Sequence, residues 1–257
     1  MILHKLCLMT GRFFGCKPML DTEPYIQTIH ASDTRKVVAG EILCRVKTPY
    51  GNVLTNDHIG EIERRANADL YTEKMLNAVL KHYSGKDASY LDGFVFSINI
   101  CMFQISSLSL RKNIENFIDS FPAKIQVQLE IVERGVPELT EELIEIIGLY
   151  DAKGVKFVMD DFIFDKKTVK YLEVSHISSV KFDRDLTVLY QGKLVHHSII
   201  EALTDFAKKF GLTVVAEGVE SMKQAELLEK AGVDYLQGFL FSKPVPLNAF
   251  DNMMTGK

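Results

Sequence analysis

The chain has 257 residues, 47% of them apolar, and a formal net charge of −4. That length holds one large domain or two small ones, and that apolar content excludes global disorder. The negative charge and scattered basic residues argue against a nucleic-acid polymer as the main ligand, though not against a small phosphorylated molecule held locally.

The chain opens with MILHKLCLMTGRFFGCKPML, apolar but interrupted by Lys5, Arg12 and Lys17. It has no continuous apolar run of signal-peptide kind and cannot span a bilayer. We read residues 1–23 as an N-terminal extension, with amphipathic docking as an alternative role, and 24–257 as one domain. Cys7, Cys16, Cys44 and Cys101 form no C-x-x-C pair and sit near no clustered histidine. Zinc is not expected, and reduced thiols fit a cytoplasmic protein with no integral membrane segment.

Two β-like runs follow, YIQTIHAS and VVAGEILCRV, separated by the polar turn DTRK. They predict a hairpin, so its two strands run antiparallel. HIGEIERRANADLYTEKMLNAVLKHY has helical spacing of apolar residues. A regular alternation then begins. The predicted strands are FVFSINIC, KIQVQLEIV, VKFVMDDF, SSVKFDRDL, TVVAEGV and VDYLQGFLF. Helices are expected between them, with a last one from near Pro246. Eight strands alternating with helices favour a closed α/β barrel over an open doubly wound sheet. Neither G-x-G-x-x-G nor a Walker loop follows the first strands.

The polar residues fall where such a barrel carries its chemistry, at the C-terminal ends of the strands. Asn99, Glu130, Asp160, Asp161 and Glu217 end their strands, Gln237 lies late in the last one, and Glu41 sits within the second hairpin strand. A period of two puts Lys181, Asp183 and Asp185 on one face. Each alone reads as a solvated strand end, a helix cap or a surface lysine. Together they make a costly rim unless they bind something. Carboxylate and amide oxygens, without clustered His or Cys, suit Mg²⁺, Mn²⁺ or Ca²⁺. Two adjacent acids can serve two ions, as in phosphoester hydrolysis.

These residues resemble the EAL-domain family of bacterial cyclic di-GMP phosphodiesterases. GEILCRV stands at the naming motif, SINIC at the asparagine motif, LEIVE at E-x-T-E, MDDF at the paired aspartates and VKFD at K-x-D. VVAEGVES and LQGFLFSKP match the two late motifs. The resemblance implies a (β/α)8 TIM-like barrel whose first strand is antiparallel to the rest. It implies hydrolysis of cyclic di-GMP to linear pGpG with two ions, Mg²⁺ or Mn²⁺. Glu41, Asn99, Glu130, Asp160 and Asp161 would ligate metal, with Glu217 beside the pair. Lys181 would orient or deprotonate the attacking water. Asp183 and Gln237 would support the water around the ions. Arg45 would contact substrate phosphate, and Leu43 would line the guanine pocket. Glu220 would contact guanine or support the site.

One departure stands out. The family loop after the paired aspartates is D-D-F-G-x-G-x-S-S, whereas this chain has DDFIFDKKT. Glycine permits backbone angles that isoleucine resists. Glu133, expected to anchor that loop, is present, but Val132 replaces the family threonine. We therefore expect either an active phosphodiesterase with an unusual loop or a silent receptor for cyclic di-GMP. The loop after Asp161 would then offer Ile163 and Phe164 to a second copy or a protein partner.

Overall fold

The structure, a computed structural model, describes residues 19–48, 53–54, 58–132, 139–162, 168–172 and 176–256. Residues 1–18, within the expected N-terminal extension, and also Glu133 and residues 163–167 of the altered loop, lie outside it. Eight strands form the barrel: β1 Thr22–Ala31, β2 Val37–Lys47, β3 Val95–Ile100, β4 Gln126–Val132, β5 Lys156–Asp160, β6 Ile177–Phe182, β7 Thr213–Ala216 and β8 Tyr235–Gln237. Around the sheet run order, β1 neighbours β8, then β7, β6, β5, β4, β3 and β2, and β2 pairs back with β1. That last pairing closes the cylinder. β1 is antiparallel to both of its neighbours, and the other contacts are parallel. This is a (β/α)8 TIM-like barrel with its first strand reversed, as the sequence predicts.

The strands hold because their outer faces are apolar. Phe96, Ile98, Val127, Leu129, Phe157, Met159, Val180, Phe182 and Val214 are all buried in one continuous core. Helices α1 Ala68–Tyr83, α2 Leu108–Ser120, α3 Glu141–Asp151, α4 Thr168–Leu172, α5 His197–Lys209, α6 Met222–Lys230 and α7 Leu247–Thr255 make the outer layer. Side-chain oxygens start three of them: Ser107 accepts from the Leu110 amide, Thr140 from Leu143 and Ser221 from Gln224. Each satisfies an amide that the helix leaves without a partner. Among the described residues, no helix is long and apolar enough to cross a membrane.

Several elements differ from expectation. The last strand, expected over VDYLQGFLF, keeps only Tyr235–Gln237, because Gly238 turns out of the sheet against the Val219 backbone. The long first helix is broken into a single turn, Ile59–Ile62, and α1. Glu63 to Ala66 are exposed, and Asn67 Nδ2 donates to the Glu61 carbonyl, competing with helical bonding. β6 stops at Phe182, because Asp183 Oδ1 accepts from the Leu186 amide and starts a turn. A small hairpin, Leu189–Tyr190 with Lys193–Leu194, was not foreseen. Its turn residues Gln191 and Gly192 both have positive φ, which matches the twist of a two-residue hairpin.

The barrel floor is held by α7. Its Asp251 Oδ1 accepts from the Tyr83 and Tyr90 hydroxyls, each at 2.8 Å, and Oδ2 lies 2.7 Å from His82 Nε2. Burial pushes the Asp251 carboxyl up, but hydrogen bonds from His82, Tyr83 and Tyr90 outweigh it and hold the group below its usual range. Stability from a depressed carboxyl is whole above its unfolded pKa of about 4 and is lost as pH falls through the folded value. Asp251→Ala also leaves the buried Tyr83 hydroxyl without its acceptor. We predict a loss of about 1–3 kcal/mol in urea unfolding at pH 7. That deficit should shrink as the pH is lowered below about 4. A deficit independent of pH would show that the carboxylate charge is not what holds the helix.

Candidate active site

The site is built on the inward-facing residues at the C-terminal ends of β2 to β8. A lysine lies at its centre. Lys181, on β6, is only 1% exposed. Burying an unpaired ammonium costs several kcal/mol. Four carboxylates offset that cost. Lys181 Nζ donates to Glu130 Oε2 at 2.9 Å, contacts Glu217 Oε1, and lies 3.5 Å from Asp160 Oδ1 and 3.7 Å from Glu41 Oε2. Burial alone would lower its pKa, but the charges of Glu130, Glu41, Glu217 and Asp160 drive it well above the ordinary lysine value. The lysine is therefore cationic in this arrangement.

The acids are not equivalent. Glu130 is as buried as the lysine, and burial together with the Glu41 charge pushes its carboxyl well up. Its other oxygen accepts from Ser97 Oγ. Glu41 also feels burial, but the Lys181 charge and hydrogen bonds from Gln237 and Asn99 hold it below the usual carboxylate range. Gln237 Nε2 donates to Glu41 Oε2 at 2.6 Å, and Asn99 Nδ2 donates to Oε1. Burial raises Glu217 to about 7 despite Lys181. Register explains the convergence: Asn99 pairs with Glu130, Glu41 with Ser97, and Gln27 with Glu41 across neighbouring strands.

Asp160, Asp161 and Glu217 form the outer part of the cluster. One carboxylate oxygen from each lies within 4.8 Å of the others. Asp160 Oδ1 is buried and accepts no hydrogen bond. Asp161 has φ of +47°, uncommon without glycine but tolerated by aspartate. At that turn the Phe162 amide bonds back to the Lys181 carbonyl at 3.0 Å. An all-oxygen donor set with a buried acceptor that takes no hydrogen bond suits a hard divalent cation.

A cleft of about 610 Å³ opens above these residues. Glu41, Leu43, Arg45, Asn99, Asp160, Asp161, Glu217, Glu220 and Gln237 line it. Glu130 and Lys181 lie beneath the lining, and Asp183 is not part of it; its carboxylate serves the turn after β6. Arg45 sits 6.0 Å from the Tyr25 ring centroid. Sequence reasoning missed Ser97, Gln27, Arg184 and Phe239. Ser97 was legible, since it shares the Asn99 face two residues earlier. Gln27 required the hairpin register.

Two glycines hold the far rim. A Cβ on Gly238 would lie 2.2 Å from the Val219 carbonyl oxygen. Gly218 has φ of +66°, and a Cβ there would meet Arg184 Cγ at 2.5 Å. Gly238 therefore packs against the Val219 backbone, and Gly218 against the stem of the Arg184 side chain. Arg184 Nη2 pairs with Glu220 Oε1 at 3.0 Å across the mouth, and Phe239 stands 55% exposed beside them.

Residues 21–244 match the EAL domain family. The chain is 27% identical over 230 residues to the cyclic di-GMP phosphodiesterase PdeL of Escherichia coli (strain K12), covering 89% of this chain and 64% of PdeL. It is 30% identical over 247 residues to the probable cyclic di-GMP phosphodiesterase PdeN of the same strain, covering 93% of this chain and 44% of PdeN. This chain thus spans less than two thirds of either relative. Its fold is similar to that of the EAL enzyme Bd1971 in the cAMP and cyclic-di-GMP bound form, with a TM-score of 0.76 and 25% identity over 91% of this chain and 64% of that one. The sequence match, the reversed first strand and the acid-lysine cluster lead to one conclusion: the chain belongs to the EAL domain family.

Proposed function

We propose that this domain is a metal-dependent phosphodiesterase that hydrolyses cyclic di-GMP to linear pGpG. The observation that carries the reading is the convergence of Glu41, Glu130, Asp160 and Glu217 on one buried lysine, with Asn99 bonded to Glu41 and Asp161 beside Asp160 and Glu217, beneath a cleft of nucleotide size. Asp160, Asp161 and Glu217 would hold one divalent ion, and Glu41, Asn99 and Glu130 would extend the set to a second, Mg²⁺ or Mn²⁺. Such an ion supplies Lewis acidity toward the phosphate and lowers the pKa of water.

The chain's own residues do the rest. Lys181 holds the carboxylates together and presents positive charge beneath the reacting phosphate. Arg45 faces the cleft and would take the phosphate oxygens, a charge-assisted contact. Gln237 orients Glu41 by its hydrogen bond. Leu43 and Phe239 offer apolar surface to the bases, and Glu220 offers an acceptor for guanine N–H groups. In the reaction a water oxygen bonds to phosphorus as the P–O3′ bond breaks. The leaving O3′ takes a proton and becomes the free hydroxyl of pGpG.

The test is incubation of purified protein with cyclic di-GMP and Mg²⁺ or Mn²⁺, with products separated by chromatography. We predict pGpG, its loss on adding a chelator in excess of the metal, and its return with added Mn²⁺. Binding without product would identify a receptor instead. Unchanged turnover in chelator would exclude the metal-dependent reading.

Arg45→Ala should separate binding from chemistry. Loss of a charged hydrogen bond worth about 1.5–3 kcal/mol weakens affinity roughly 10–100-fold. We predict that rise in KM with kcat nearly unchanged. An unchanged KM would place the phosphate elsewhere.

A further inference from the structure

Strand β1 has an interrupted neighbour. On its β8 edge, Ile29 pairs with Gln237, and the ladder resumes only where Ile26 pairs with Val245. Residues 238–244 leave the sheet in between, opposite Gln27 and Thr28. Thr28 thereby loses a ladder partner for its amide, and the Ser242 hydroxyl takes that place at 3.3 Å.

Behind β1 the substitute is locked by a chain of hydrogen bonds with one direction. His30 Nδ1 lies 2.8 Å from the Arg35 carbonyl, which can only accept, so Nδ1 carries the proton. Burial lowers the His30 pKa, so Nε2 is bare and accepts from Thr28 Oγ1 at 2.9 Å. With its proton committed, Thr28 Oγ1 accepts from Ser242 Oγ at 2.8 Å. The His30 ring also stacks on Phe241, 4.2 Å between centroids and 18° from parallel. Thr28, His30 and Ser242 are all buried.

The other face of β1 joins this anchor to the cleft. Gln27 Nε2 donates to the Ser242 carbonyl at 3.2 Å, and Gln27 Oε1 accepts from Gln237 Nε2 at 3.4 Å. The same Gln237 nitrogen donates to Glu41. Gln237 Oε1 is left buried without a partner. Gly238 and Phe239, the first residues of the excursion, line the cleft.

We propose that Thr28 and His30 are positioning residues: they pin the 238–244 excursion from behind β1 and so set the Gln237 amide against Glu41. The inference rests on the reading of the cleft as a phosphodiesterase site. A packed apolar pair would hold two strands together as well as this polar one. What it would lack is a single preferred orientation for Ser242, and hence for Gln27 and Gln237.

The experiment is a double-mutant cycle on kcat for cyclic di-GMP with Mn²⁺, together with Mn²⁺ affinity by calorimetry. Thr28→Val keeps the strand shape and removes the hydroxyl. It should lower kcat about tenfold while leaving KM within about twofold, an effect in the range of coupled neighbours. Thr28→Ser should restore wild-type turnover. Added to Gln237→Leu, Thr28→Val should cause no further loss. Full activity of Thr28→Val, or losses that multiply, would overturn the proposal. Should Thr28→Val fail to fold, His30→Leu carries the same cycle, because it leaves Thr28 in place. If the wild-type protein turns over nothing, the reading of the site fails separately. The cycle is then scored on Mn²⁺ affinity alone, where independent effects of Thr28 and Gln237 would overturn the positioning role.

Discussion

The site depends on one buried charge. Without the Lys181 ammonium, Glu41, Glu130, Asp160 and Glu217 would face one another in a region where two of them are almost wholly out of water. Like charges so placed either protonate or drive the structure apart. A buried ion cluster is weak evidence for stability, since an apolar core of the same volume is often as stable or more so. Its presence at the open end of a barrel therefore speaks for function. The cluster holds the acids together and aimed at the cleft, and it keeps Glu41 in particular below the usual carboxylate range, which suits a hard cation and a phosphodiester.

The remaining architecture serves that placement. Parallel register sets Asn99 beside Glu130, and the hairpin sets Gln27 beside Glu41. The reversed β1 closes the barrel and also leaves an edge that β8 cannot fill. The excursion 238–244 grows from that gap, held by Thr28 and His30 on one side and by the close approach of Gly238 to Val219 on the other. Positive φ at Asp161 and at Gly218 turns two neighbouring loops so that Asp161 and Glu217 approach each other.

Much of this was legible in the sequence, for identifiable reasons. Strand period and βα alternation are local, so the barrel and its opening antiparallel hairpin could be read directly, and the family resemblance implied the reversal of the first strand against the rest. Strand-end acids followed from the pattern, and the structure gathers Glu41, Asn99, Glu130, Asp160, Asp161, Lys181, Glu217 and Gln237. What escaped was non-local. Asp183 was placed on the strand face, but its carboxylate caps a turn instead. The helix break near Asn67 turns on a side chain competing for a backbone carbonyl. His30 and Thr28 look like ordinary strand residues until Ser242, far along the chain, is brought beside them.

The central claim is that Lys181 compensates the acids beneath the cleft, and urea unfolding in excess chelator tests it most directly. Lys181→Met should cost about 3–5 kcal/mol, the range for breaking a buried pair. Adding Glu130→Gln should recover part of that loss, because it removes the buried acid that has lost its hydrogen-bonded partner. Wild-type stability of Lys181→Met, or penalties that simply add in the double variant, would contradict the account.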